Sequence, residues 1–108
     1  MFTDIHNHII YGVDDGASRR EETFSMIDEA VRDGVNTIIS TPHVTPGEHE
    51  FHDDLYERHF GIAQEYIREK GYDLRLFQGA EILFTPYTVR MLREKRVRTL
   101  AESRYVLL

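Results

Sequence analysis

VNTIISTPH, residues 35–43, is the stretch on which the fold turns. It is short, apolar and rich in β-branched residues, the signature of a strand buried on both faces. The strand is expected to end near Thr41, because Pro42 has no N–H to give to a ladder. A helical pattern flanks it on each side. Upstream, Phe24, Ile27, Ala30 and Val31 share one helix face, which stops at Gly34. Ser18 is expected to cap that helix, with Glu21 three residues later completing a capping box. Downstream, a long helix is expected from about Asp53 to Lys70, with Leu55, His59, Ile62 and Tyr66 on one stripe and Gly71 as its stop.

The same alternation extends outward. FTDIHNHII (2–10) reads as a strand, and YGVDDGASRR (11–20) as the loop leading to the first helix. VTPGEHEFHDD (44–54) is a polar loop. YDLRLFQGAEI (72–82) alternates as a third strand, TPYTVRMLREKR (85–96) gives a third helix with Pro86 near its first turn, and RYVLL (104–108) reads as a fourth strand. The order βαβαβαβ specifies an α/β fold whose parallel strands are joined by right-handed crossovers. Parallel strands need helices on both faces or closure into a barrel. RYVLL would leave a bare apolar edge, so residues 1–108 are expected to form a single partial domain that is truncated at its C-terminus or pairs with a second copy.

Composition narrows the function. A chain of 108 residues with 41% hydrophobic content makes one small domain with a real core. A net charge of −6 argues against a nucleic-acid partner, which needs a basic face. No run is long enough for membrane insertion and no signal-peptide pattern precedes Asp4, so a cytoplasmic location is the default. With no cysteine, thiolate metal sites and a cysteine nucleophile are excluded.

The residues that carry chemistry lie where the strands end. On a strand, His6 and His8 project to one side, and Asp4 shares that face and could orient a liganding imidazole. Taken alone, H-x-H is better explained by two histidines on a solvated strand face. His43, however, directly follows the second strand, and Glu81 follows the third in GAEI. Separate strands thus deliver imidazole and carboxylate groups to the C-terminal rim, where parallel α/β folds gather their active sites. Asp15 lies in the loop on that rim, although D-D-G also suits a plain turn, and the neighbouring Asp14 can exchange roles with it. His49 and His52 are expected to be exposed in the acidic loop, and His59 to be a satisfied histidine of the helix stripe. Arg19 and Arg20 fit surface pairing with Glu21 or Glu22 better than substrate binding.

D-x-H-x-H, V-D-D-G, S-T-P-H and G-A-E-I, in this order, resemble the polymerase-and-histidinol-phosphatase (PHP) superfamily. VDDGASRREE, GAEILFTP and SRYVLL resemble more closely its bacterial CpsB/YwqE-type tyrosine-protein phosphatases of capsule and exopolysaccharide biosynthesis. The resemblance implies the N-terminal portion of a distorted seven-stranded (β/α) barrel. It also implies a cluster of up to three divalent ions, commonly manganese. The ligands supplied here would be His6, His8, Asp15, His43 and Glu81, with Glu81 bridging. The reaction implied is hydrolysis of phosphotyrosine by metal-bound hydroxide, with no covalent catalytic residue. The implied partner is a phosphorylated bacterial tyrosine kinase of polysaccharide export. Further ligands would follow Leu108, so the chain by itself is expected to be weakly active or inactive. The alternatives are a small-molecule phosphatase of the histidinol-phosphatase kind, or a non-catalytic metal-binding half-barrel completed by self-association. A nucleic-acid phosphoesterase is disfavoured by the acidic balance.

Overall fold

The computed structural model describes residues 2–47, 51–103 and 105–108. Strands alternate with helices as expected, and among the described residues every strand pairing is parallel. Strands β1 (Phe2–Asp4), β2 (Val35–Ser40) and β4 (Arg75–Gln78) form a sheet in the order β1-β2-β4, and β3 (His43–Val44) pairs with β5 (Glu81–Ile82) in a second, two-stranded sheet. Helix α1 (Arg20–Arg32) connects β1 to β2, and helix α2 (Asp53–Lys70) connects β3 to β4.

The core lies between the larger sheet and these two helices. Ile27 from α1, Ile38 from β2, Leu74 and Leu76 around β4, and Tyr56, Phe60, Ala63 and Ile67 from α2 pack with Ile9 and Ile10. Leu74 and Leu76 are buried while Asp73 and Arg75 are exposed, which is the period-two pattern read from the sequence. Gly71 ends α2 in the left-handed region at φ 68°, a conformation that a side chain disfavours.

Several expected boundaries move. The first strand stops at Asp4 instead of running to Ile10, because the Asp4 carboxylate accepts the His6 backbone N–H at 3.0 Å and turns the chain out of the ladder. The capping box does not form: Arg19 holds the N-cap position without a side-chain bond, and Ser18 Oγ donates instead to Glu22 Oε1 at 2.6 Å. The buried stripe of α2 is Tyr56, Phe60, Ala63 and Ile67, one residue on from the expected stripe and so rotated by about 100° around the helix. That face is apolar throughout and small at Ala63, whereas the expected face carries His59.

The third strand breaks at Gly79–Ala80 into β4 and β5, and His43–Val44, expected in a loop, becomes a short strand. The third helix shrinks to α3 (Thr88–Arg93), and Lys95, at φ 56°, turns the chain away from helical geometry. RYVLL is not a strand over its described residues: Leu107 makes an isolated parallel bridge to Glu81, and a two-residue neighbour leaves little ladder to extend. His52 is exposed as expected, and His49 lies outside the described residues. Among the described residues, no helix is long and apolar enough to cross a membrane.

Candidate metal centre

The short β3–β5 pair sets the geometry of the rim. His43 and Glu81 are register partners on neighbouring parallel strands, so their side chains leave the sheet side by side. The turn at Asp4 lifts residues 5–9 across the ends of these strands. His6 and His8 therefore reach the rim from an irregular segment, not from a strand face, and Asp4 bonds the backbone of His6 instead of orienting an imidazole.

One carboxylate oxygen lies at the centre. Glu81 Oε1 is 3.0 Å from His6 Nε2, 3.1 Å from His8 Nε2 and 3.3 Å from His43 Nδ1. The rings are ordered around it: His8 stacks on His43 with centroids 4.3 Å apart, and His6 meets His8 edge-on at 5.5 Å. Partial burial pushes the Glu81 carboxyl up. The hydrogen bond from His6 and the charges of His43, His6 and His8 outweigh that effect and hold it below the ordinary carboxylate range.

The two aspartates of the loop occupy different surroundings. Asp14 is nearly buried, with 4% of its side chain exposed, and both of its oxygens are engaged. Oδ2 lies 2.8 Å from His8 Nδ1 and accepts the His43 backbone N–H at 3.1 Å, while Oδ1 accepts the Gly16 N–H at 2.8 Å. Asp15 is 85% exposed and has a single contact of 3.4 Å, to His43 Nε2. Gly16 is needed for a steric reason: a Cβ there would stand 2.4 Å from the His8 Cβ. The D-D-G turn is thus folded tightly against the histidine segment.

Among the described residues, two sets of groups offer donor atoms close enough for one ion, namely His6, His8 and Glu81, and His8, Asp14 and His43. Imidazole nitrogens and carboxylate oxygens at this density, without thiolate, suit a divalent cation of intermediate hardness. His59 stands apart. Its Nδ1 donates to the Tyr11 carbonyl at 2.7 Å and its ring stacks on Tyr11 at 3.8 Å, which satisfies it within the body of the protein. Arg19 pairs with Glu22 on the helix surface at 3.5 Å. The sequence reading left the aspartates interchangeable and passed over Asn7 and Thr41, which join the histidine segment to β2; the one available signal was that Asn7 separates two histidines and must face elsewhere.

The profile of the family described as "Capsular polysaccharide synthesis, CpsB/CapC" matches residues 2–108. Among curated proteins, tyrosine-protein phosphatase CpsB of Streptococcus pneumoniae is 39% identical over 105 residues, which cover 97% of this chain and 43% of that protein. Tyrosine-protein phosphatase YwqE of Bacillus subtilis is 28% identical over 105 residues, covering 97% and 41%. A solved structure from work on YwqE of Bacillus subtilis and CpsB of Streptococcus pneumoniae, described as unique metal-dependent tyrosine phosphatases, superposes with a TM-score of 0.85 at 27% identity. That match covers 98% of this chain and 43% of the solved one, so the chain spans a little over two fifths of the length of its relatives.

Proposed function

The chain belongs to the CpsB/CapC family of capsular polysaccharide synthesis, and from that premise we propose that it carries part of the active site of a metal-dependent protein-tyrosine phosphatase. The observation that supports this reading best is the meeting of His6, His8 and His43 nitrogens on the single oxygen Oε1 of Glu81. Three imidazoles around one carboxylate, open to solvent on the His6 side, form a donor set for cations that is also accessible to a bulky phosphoester.

In this reading His6, His8, Asp15, His43 and Glu81 would hold manganese or another divalent metal, in a cluster of up to three ions. Asp14 is the orienting group. Its oxygens are taken up by N–H donors, and by accepting from His8 Nδ1 it leaves the Nε2 lone pair aimed at Glu81. Asp15 keeps an exposed carboxylate whose one contact is with His43 Nε2. Ions bound there would neutralise the phosphate's negative charge and lower the pKa of a water, supplying a nucleophile near neutral pH. His6, half-exposed, would be open to an incoming phosphoester. With no cysteine in the chain, a thiolate attack is not available to it.

The strands are read as the first part of a distorted seven-stranded barrel, with the remaining ligands in the portion of the relatives that this chain does not span. The substrate is phosphotyrosine on a tyrosine kinase of polysaccharide export, acted on in the cytoplasm. The test is turnover of a phosphotyrosine peptide against histidinol phosphate, with added manganese, by a version extended to the length of the relatives. Preference for the peptide is expected, with little turnover by residues 1–108 alone. Preference for histidinol phosphate, or phosphatase activity indifferent to manganese, overturns the reading.

A further inference from the structure

β1 ends at Asp4, yet the histidine segment beyond it does not drift away from the sheet. Asn7 and Thr41 hold it. The Thr41 backbone N–H donates to the Asn7 carbonyl at 2.9 Å, and the Thr41 hydroxyl donates to the same carbonyl at 3.0 Å. That hydroxyl also accepts the Asn7 backbone N–H at 3.0 Å. The Asn7 side chain completes the clasp: Nδ2 donates to the Ile39 carbonyl at 3.0 Å, and Oδ1 accepts the Ile9 N–H at 3.3 Å. Thr41 is fully buried, between Ser40 and Pro42, which are also fully buried. The loss of regular pairing after Asp4 is therefore replaced by a side-chain-assisted pairing two residues short of His43.

The position of this clasp matters. Asn7 lies between His6 and His8, so fixing its backbone and its side chain sets the direction in which both imidazoles leave the chain. Thr41 precedes the buried Pro42 and then His43, so its other side fixes the root of the third imidazole. Neither residue contributes a group to the donor sets around Glu81 and Asp14. Polar bonds inside a partly buried joint are directional, and losing one leaves its partner unsatisfied, so such a joint resists small displacements better than apolar packing does.

We infer that Asn7 and Thr41 are positioning residues of the metal centre: their clasp sets the spacing between the His6–His8 pair and His43, and through it the affinity for divalent ions. The inference rests on the metal-centre reading above.

The experiment is calorimetric titration of the 108-residue chain with manganese chloride, with each variant's melting temperature measured in the absence of metal. Thr41→Val removes the hydroxyl with little change in shape, and a loss of roughly tenfold in manganese affinity is expected. Thr41→Ser keeps the hydroxyl and should stay within about threefold of the parent. Tyr66→Phe, which loses a hydroxyl bond to Asp28 away from the site, is the stability control and should bind manganese like the parent. Should Thr41→Val fail to fold, Asn7→Ser decides the matter, since it gives up only the side-chain bonds to Ile39 and Ile9; a loss of roughly threefold is expected. Unchanged affinity in the folded clasp variants, or a loss matched by the Tyr66→Phe control, overturns the clasp alone. Should residues 1–108 take up no manganese, the same titrations on a version extended to the length of the relatives decide, and no uptake there overturns the metal-centre reading and the clasp with it.

Discussion

Ile27, Ile38, Tyr56 and Ala63 are at most 2% exposed, whereas the side chains of His6, His43 and Asp15 at the rim are 50%, 48% and 85% exposed. The body made by α1, β2, α2 and β4 is closed by apolar packing, with hydroxyl bonds such as Tyr56 to Ser40 at 2.5 Å filling its polar gaps. The rim is held by imidazole, carboxylate and backbone N–H groups meeting at fixed distances. Apolar burial is non-directional and tolerates small shifts, while a rim built from directional bonds does not. The same chain thus divides its work: the body supplies stability, and the rim supplies position.

Substitutions that separate the two regions test this division, and the largest effect belongs to the rim. His6→Ala or His43→Ala, in a version extended to the length of the relatives, should abolish manganese-dependent turnover while the far-ultraviolet circular dichroism stays that of the parent; normal activity in both would sink the ligand assignment. The body should respond in the opposite sense. Ile27→Ala is expected to lower unfolding free energy by about 2–5 kcal/mol in denaturant titrations while leaving manganese affinity unchanged.

His59 is the intermediate case, a histidine that belongs to the body. His59→Ala removes the bond to the Tyr11 carbonyl and the stacked ring, and about 1–2 kcal/mol of stability should go with them. Selective loss of bound metal in that variant would contradict its assignment to the body.

The smallest effect is one of pH. The Tyr72 and Tyr66 hydroxyls donate to Asp28 Oδ1 at 2.7 and 2.8 Å and hold its carboxyl below the usual range. A depressed folded pKa stabilises the protein above the unfolded pKa, and the benefit is lost as pH falls through the folded value. Asp28→Asn should therefore flatten the acid side of the stability profile below roughly pH 4, measured by thermal melts across pH. An unchanged acid limb would show that the tyrosine pair contributes nothing to acid stability.

Much of this division was legible in the residues. The parallel alternation followed from VNTIISTPH and its flanking helical patterns, and Gly71 marked the end of α2 because a left-handed stop favours glycine. The approach of His43 and Glu81 was expected from their places after successive strands, and the structure makes them register partners. What escaped was set by competition between near-equal local options. Ser18 had both Glu21 and Glu22 within reach and took Glu22. Helix α2 had two adjacent stripes, and packing chose the one without a histidine. Asp4 read as a strand residue able to orient a liganding imidazole, yet it bonds the backbone of His6 and ends the strand.

The sequence by itself determined the class of fold and the kinds of group brought to the rim, because hydrophobic period and residue chemistry are local properties that survive in any conformation. Only the tertiary structure decided which aspartate is enclosed by N–H donors and which stands open. It also decided which helix face is buried, and that Asn7 and Thr41 carry the pairing past the end of β1. Each of those outcomes depends on groups from distant parts of the chain competing for the same few ångströms, and that competition is resolved by three-dimensional contact alone.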